Sequence, residues 1–141
     1  MDHKTSHYLA TNHLSAYYLY PPQRVVPLFW LNRHIINDIM RMPAQIITKL
    51  AKSVGVIPGI FVAIHTFGRD LKPNMHFHLS TTLSGLTLNK KQWMCYFWFN
   101  RPSLKKIKKL WRDGIIDLLL AEYSAGRLIL PTDMPLSLIH I

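Results

Sequence analysis

The sequence predicts an α+β fold, a mainly antiparallel sheet with helices packed on one face. Three observations carry that prediction. Residues 60–67 and 75–83 are two strand-like stretches joined by a polar loop, as in a β-hairpin. Residues 28–52 and 104–125 repeat apolar positions every three or four residues, the period of an amphipathic helix. Aromatic-rich runs at 14–20 and 92–99 supply two further strands. The order is strand, helix, strand, strand, strand, helix and an extended segment, which a ferredoxin-like or RNA-recognition-like plait fits best.

Taken in order, residues 1–13 are polar, as a loosely held terminus is. The strand at 14–20 is stopped by Pro21-Pro22. In 28–52 the stripe runs through Leu28, Leu31, Ile35, Ile39, Met42, Ile46 and Leu50. Pro43 sits inside it and is expected to kink or divide the helix, because it removes one backbone hydrogen bond. Residues 53–58 read as a turn. After the hairpin, Ser84-Gly85 offers a break and Asn89-Lys90-Lys91 a short turn. Within 92–99, Trp93, Phe97 and Phe99 are expected in the core, and Cys95 as a small buried residue. Ser103 is a plausible N-cap. The stripe Leu104, Ile107, Trp111, Ile115, Leu118, Ala125 then defines a helix ending at Gly126, a natural C-cap. Residues 127–130 form a short strand or extended arm, and 132–141 have no readable structure.

The hairpin carries the candidate chemistry. Side chains two apart on a strand point to one face, so His76 and His78 project together while Phe77 turns inward. Pairing through the loop at 68–73 puts His65 opposite His76 or His78, within side-chain reach. Three imidazoles make a candidate metal site; by donor type alone they favour zinc, iron or copper over magnesium.

With 141 residues the chain is sized for one domain with a real core. Lysine and arginine number 17 against 7 acids, a formal charge of +10, and so basic a domain usually meets a polyanion. No apolar run approaches the roughly 18 residues of a membrane span, and the start lacks the apolar segment of a secretory signal. A single cysteine excludes an internal disulfide. A cytoplasmic location without membrane contact is the expectation.

At AIHTFGRDLKPNMHFHLSTTLSGLT the chain resembles the HUH-type two-tyrosine transposases of rolling-circle insertion sequences, in which two histidines flank an apolar residue, here Phe77. PLFWLNRHIINDIMRMPAQIITKLAK and FWFNRPSLKKIKKLWRDGIIDLLLAEYSAGRLILP read like the same family, so the resemblance covers residues 27–131, with 1–26 matching poorly. It implies an HUH nuclease plait that binds single-stranded DNA at the element ends and transfers strands through a tyrosine. It also implies magnesium or manganese held by His76 and His78, with His65 a third ligand by analogy to three-histidine relaxases. The family's cysteine-rich segment and downstream tyrosine pair have no counterpart among these residues. The six tyrosines, Tyr8, Tyr17, Tyr18, Tyr20, Tyr96 and Tyr123, contain no matching pair. The expectation is a truncated catalytic core without its nucleophile, inactive alone.

Lys105, Lys106, Lys108, Lys109 and Arg112 share the outer side of the second helix and are expected to track a DNA backbone. Arg69 and Lys72, in the loop beside the histidines, are better placed to meet the scissile strand. Two other readings stand beside this one: a non-catalytic nucleic-acid-binding plait, which the missing RNA-recognition signature weakens, and a replication initiator or relaxase using the same histidines.

Overall fold

A computed structural model describes residues 14–95, 104–132 and 134. Strand β1 spans Leu14–Leu19 and alternates exposed and buried positions, with Ser15, Tyr17 and Leu19 inward. Helix α1, Val26–Leu31, and helix α2, Ile36–Lys52, follow it. Strands β2 (Val56–Phe67), β3 (Pro73–Thr87) and β4 (Trp93–Cys95) come next, then helix α3, Leu104–Ser124.

The sheet runs β1-β3-β2, with β4 also paired to β3 and every pairing antiparallel. Strands β1 and β2 both lie antiparallel to the β3 between them, so they are parallel to each other and joined through α1 and α2. That is the split β-α-β unit of a plait. The expected α+β architecture holds. Phe29, Ile39, Ile47, Ile107, Trp111, Ile115 and Leu119 from the helices meet Tyr17, Leu19, Met75, Phe77 and Leu79 from the sheet in one core. No helix among the described residues is long and apolar enough to cross a membrane.

Several local expectations need correction. The first helical stretch divides at Asn32, not at Pro43. Asn32 leaves the helical region (φ −117, ψ 59), and a 3-10 turn, Arg33–Ile35, leads into α2. Its side chain bonds to backbone on both sides: Nδ2 donates to the Leu28 and Ile129 carbonyls at 2.8 Å each, and Oδ1 accepts from the Ile129 N–H at 2.7 Å. This is the competition with helical bonding that asparagine brings. Pro43 lies buried within a continuous α2. The buried line of α2 is Ile39, Pro43, Ile47 and Ala51, flanked by half-buried Met42, Ile46 and Leu50, while Leu31 is exposed.

Strand β2 begins at Val56, inside the expected turn, directly after Gly55 in a left-handed conformation (φ 83). Strand β3 runs through Ser84-Gly85 instead of breaking there. Register shifts between Pro58 and Ile60, where Thr82 to Ser84 stand against Gly59 as a bulge. The Thr82 hydroxyl accepts from the Gly59 N–H at 2.9 Å and donates to the Ser84 carbonyl. A Cβ on Gly85 would lie 2.2 Å from the Ile57 carbonyl oxygen, so the glycine marks a close backbone approach.

Trp93 is 54% exposed rather than in the core. It stands on the short β4, paired to β3 at Ser84 to Leu86, and its indole N–H donates to Ser84 Oγ at 2.8 Å. Leu104 is exposed too, at the start of α3. The expectations for Phe97, Phe99, the Ser103 cap and the Cys95 side chain lie outside the described residues.

Helix α3 ends as the sequence indicates. Gly126 is left-handed (φ 67), its N–H donates to the Tyr123 carbonyl at 2.9 Å, and the Arg127 N–H donates to the Glu122 carbonyl at 2.9 Å. Those two bonds are a Schellman motif. Residues 127–130 form an extended arm that packs Leu128 and Leu130 on the core.

Candidate metal centre

The β2–β3 hairpin closes through a turn in which the Leu71 N–H donates to the Gly68 carbonyl at 3.1 Å and the Gly68 N–H to the Lys72 carbonyl at 2.8 Å. Leu71 takes the left-handed conformation (φ 60) that a three-residue hairpin loop requires at its last position. The resulting register pairs His65 with His76 and Ala63 with His78. His65, His76 and His78 therefore share the sheet face opposite the helices, while Met75, Phe77 and Leu79 fill the core.

Each histidine offers one ring nitrogen, and those three atoms lie within 4.8 Å of one another. The His65 and His78 rings stack with centroids 3.9 Å apart; His76 stands 5.1 Å from His65 and 4.9 Å from His78. His76 Nδ1 lies 2.8 Å from the Asn74 carbonyl. A carbonyl only accepts, so Nδ1 carries the proton and Nε2 keeps a free lone pair, the usual way a ligating histidine is oriented. His78 Nε2 is buried and has no hydrogen-bond partner. Burial holds the His78 pKa below its ordinary value, and the neighbouring His65 and His76 push it the same way. The ring is thus neutral near pH 7, the form that binds a cation. An oriented lone pair, an unpartnered buried nitrogen and an exposed third ring stacked beside them fit a divalent ion.

Two tyrosines that the sequence reasoning left aside border this cluster. Tyr18 meets His78 edge-on at 4.6 Å, and Tyr20 stacks on His76 at 5.2 Å with 15° between planes. The signal was present in the alternation: Tyr18 and Tyr20 are two apart at the end of β1, whereas Tyr17 points into the core.

The predicted cationic residues divide into two groups. Arg69 and Lys72 are exposed in the hairpin loop, and Lys72 pairs with Asp70 at 3.3 Å. Lys105, Lys106, Lys108, Lys109 and Arg112 are exposed on α3. That helix packs Trp111 edge-on against Phe77, so it lies on the covered side of the sheet, away from the histidine face. Lys109 and Arg112 both bond Asp113, at 2.6 and 3.2 Å. The structure brings the three histidines together and leaves the α3 lysines round the edge of the sheet.

A family profile described as "Putative transposase" matches residues 59–133, from within β2 through α3. The chain is 32% identical over 120 residues to the "Transposase for insertion sequence element IS801" of Pseudomonas savastanoi pv. phaseolicola, an alignment covering 85% of this chain and 27% of that protein. The chain thus spans about a quarter of that relative's length. No solved structure matches.

Proposed function

We propose a function from one premise: this chain belongs to the transposase family that its residues 59–133 match. Its part in DNA transposition is to hold a single DNA strand, at the element ends, with one phosphate against the histidine face. The observation that carries this reading is the convergence of His65, His76 and His78 on the open face of a strongly basic domain.

The three imidazoles would hold magnesium or manganese, which withdraws charge from a phosphodiester when bound. Three neutral nitrogens are a poor shell for a hard cation, so water and a substrate phosphate complete it, and the affinity of the protein alone is low. Asn74 keeps His76 Nε2 available, and the apolar side of β3 fixes the backbone that spaces His76 from His78. Arg69 and Lys72 extend positive charge from the hairpin tip along the strand's backbone, and the α3 cations add long-range attraction without reading bases. The strand transfer itself would go through a tyrosine, as the resemblance to two-tyrosine transposases implies.

The test is single-stranded DNA binding as a function of salt. Log affinity is expected to fall by about 0.7 per neutralised phosphate for each tenfold rise in salt. Arg69→Glu with Lys72→Glu is expected to weaken binding and reduce that slope. An affinity indifferent to salt, or no binding at low salt, would overturn the reading. An RNA strand bound more tightly than DNA of the same sequence would favour the non-catalytic plait.

A further inference from the structure

Tyr20 belongs to two surfaces at once. One side of its ring stacks on His76. The same residue lines a cavity of about 300 Å³ between the end of β1 and helix α3. The floor of that cavity is apolar and fully packed: Trp111 and Ile115 are 3% exposed. Its rim carries Arg24, Lys108 and Arg112 and, among the described residues, no acidic one. Arg112 is partly engaged by Asp113. Arg24 and Lys108 have no acidic partner among the described residues.

An apolar slot with a cationic rim is complementary to a nucleotide, whose base is flat and apolar on its faces and whose flanking phosphates are anionic. A free hydrophobic ligand would have no use for three rim cations, and a duplex could not insert a stacked base. The slot also adjoins the histidine face through one side chain. A strand with a phosphate at the histidines and its next bases passing over Tyr20 crosses the sheet edge at this point. The arrangement gives the α3 cations Lys108 and Arg112 a local role despite their place on the covered side of the sheet.

We infer that the cavity between β1 and α3 is a subsite for one unstacked base of the single-stranded DNA, entered over Tyr20 and rimmed by Arg24, Lys108 and Arg112. This rests on the single-stranded DNA reading of the histidine face, and it adds a position-specific element to a surface that otherwise tracks only the backbone. Exposed tyrosine supplies the stacking surface at the mouth, and Ile116 bounds the slot on α3.

The experiment is an abasic scan. The 141-residue chain is titrated with single-stranded oligonucleotides that each lack one base, with the backbone intact and no metal added. One position is expected to lose about tenfold in affinity, the size of one base stack, with the other positions nearly flat. Ile116→Trp, which fills the slot, is expected to bind the intact oligonucleotide about as weakly as the wild type binds that one abasic strand, and to respond no further to the missing base. Tryptophan fluorescence supplies a second readout: emission, which Trp111 shares with Trp30, Trp93 and Trp98, should change more with the intact strand than with the strand abasic at that position. A flat scan with normal DNA binding would overturn the base subsite and leave the DNA reading standing. No binding to any oligonucleotide would overturn both.

Discussion

His65 and His76 face each other as register partners across β2 and β3, with ring centroids 5.1 Å apart. Register ties the site to the hydrophobic pattern. A one-residue slip of β2 would turn His65 to the helix side and expose Ile64. The histidine face is thus held in place by the same packing that buries Phe77 and Leu79.

Manganese binding, followed by calorimetry, is expected to depend on all three histidines. His76→Ala or His78→Ala should weaken it at least about tenfold, since even groups that only orient a ligand have effects of that size. His65→Ala should cost less, because His65 is the exposed member of the three. Equal affinity in all three variants would mean that the ion sits elsewhere.

Acid should act on the site through His78. Its pKa is lowered in the folded chain from the ordinary 6.5. A depressed folded value means that the unfolded chain takes up the proton first. The stability it contributes is present above pH 6.5 and is lost as pH falls through the folded value. Metal affinity should drop as pH falls and His78 takes up its proton. Urea midpoints measured from pH 7.5 down to 5 should decline in the wild type and decline less in His78→Phe, which removes the titrating ring. A second decline belongs to Glu122, whose carboxyl the Arg127 guanidinium and then His34 hold down to about 2. That loss begins below the usual carboxylate value of 4.5 and continues to about 2.

Asn32 is expected to matter more for stability than any surface charge. It is fully buried, and it satisfies both the N–H and the carbonyl of Ile129. Asn32→Ala strands those groups and should cost about 1–3 kcal/mol by urea unfolding. Asn32→Asp should cost more, because it removes both donated bonds and buries a charge. Gly85→Ala is expected to destabilise as well, since its Cβ would meet the Ile57 carbonyl. An unchanged midpoint in Asn32→Ala would show that the arm after α3 contributes nothing.

The sheet's inner pattern was legible because alternation on β3 is strict: Met75, Phe77 and Leu79 in, His76 and His78 out. The C-terminal end of α3 was legible because only a glycine takes up the Gly126 conformation at no cost. The division at Asn32 was not, because the competing partner, Ile129, lies 97 residues away. Neither was the run of β3 through Gly85, where a turn residue serves a bulge against Ile57. The tyrosines at the histidine face were hidden for the same reason. Their meaning depends on β1 pairing with β3, with Tyr18 set opposite His78.

The last prediction concerns covalent chemistry. Four tyrosines lie in the described residues, and their positions differ sharply. Tyr123 is on α3, the helix packed on the covered side of the sheet, so it has no route to the histidine face. The Tyr17 hydroxyl is buried on that same side without a partner. Tyr18 and Tyr20 touch His78 and His76 through their rings, contacts that suit stacking. A nucleophile must instead sit in line with the scissile phosphate, and that positioning supplies much of the rate. A labelled single strand carrying the element's end, incubated with this chain and manganese, is therefore expected to yield no covalent protein–DNA adduct. An adduct from this chain that vanishes in Tyr18→Phe or Tyr20→Phe would move the nucleophile to β1. One that vanishes in Tyr123→Phe would contradict the placement of α3.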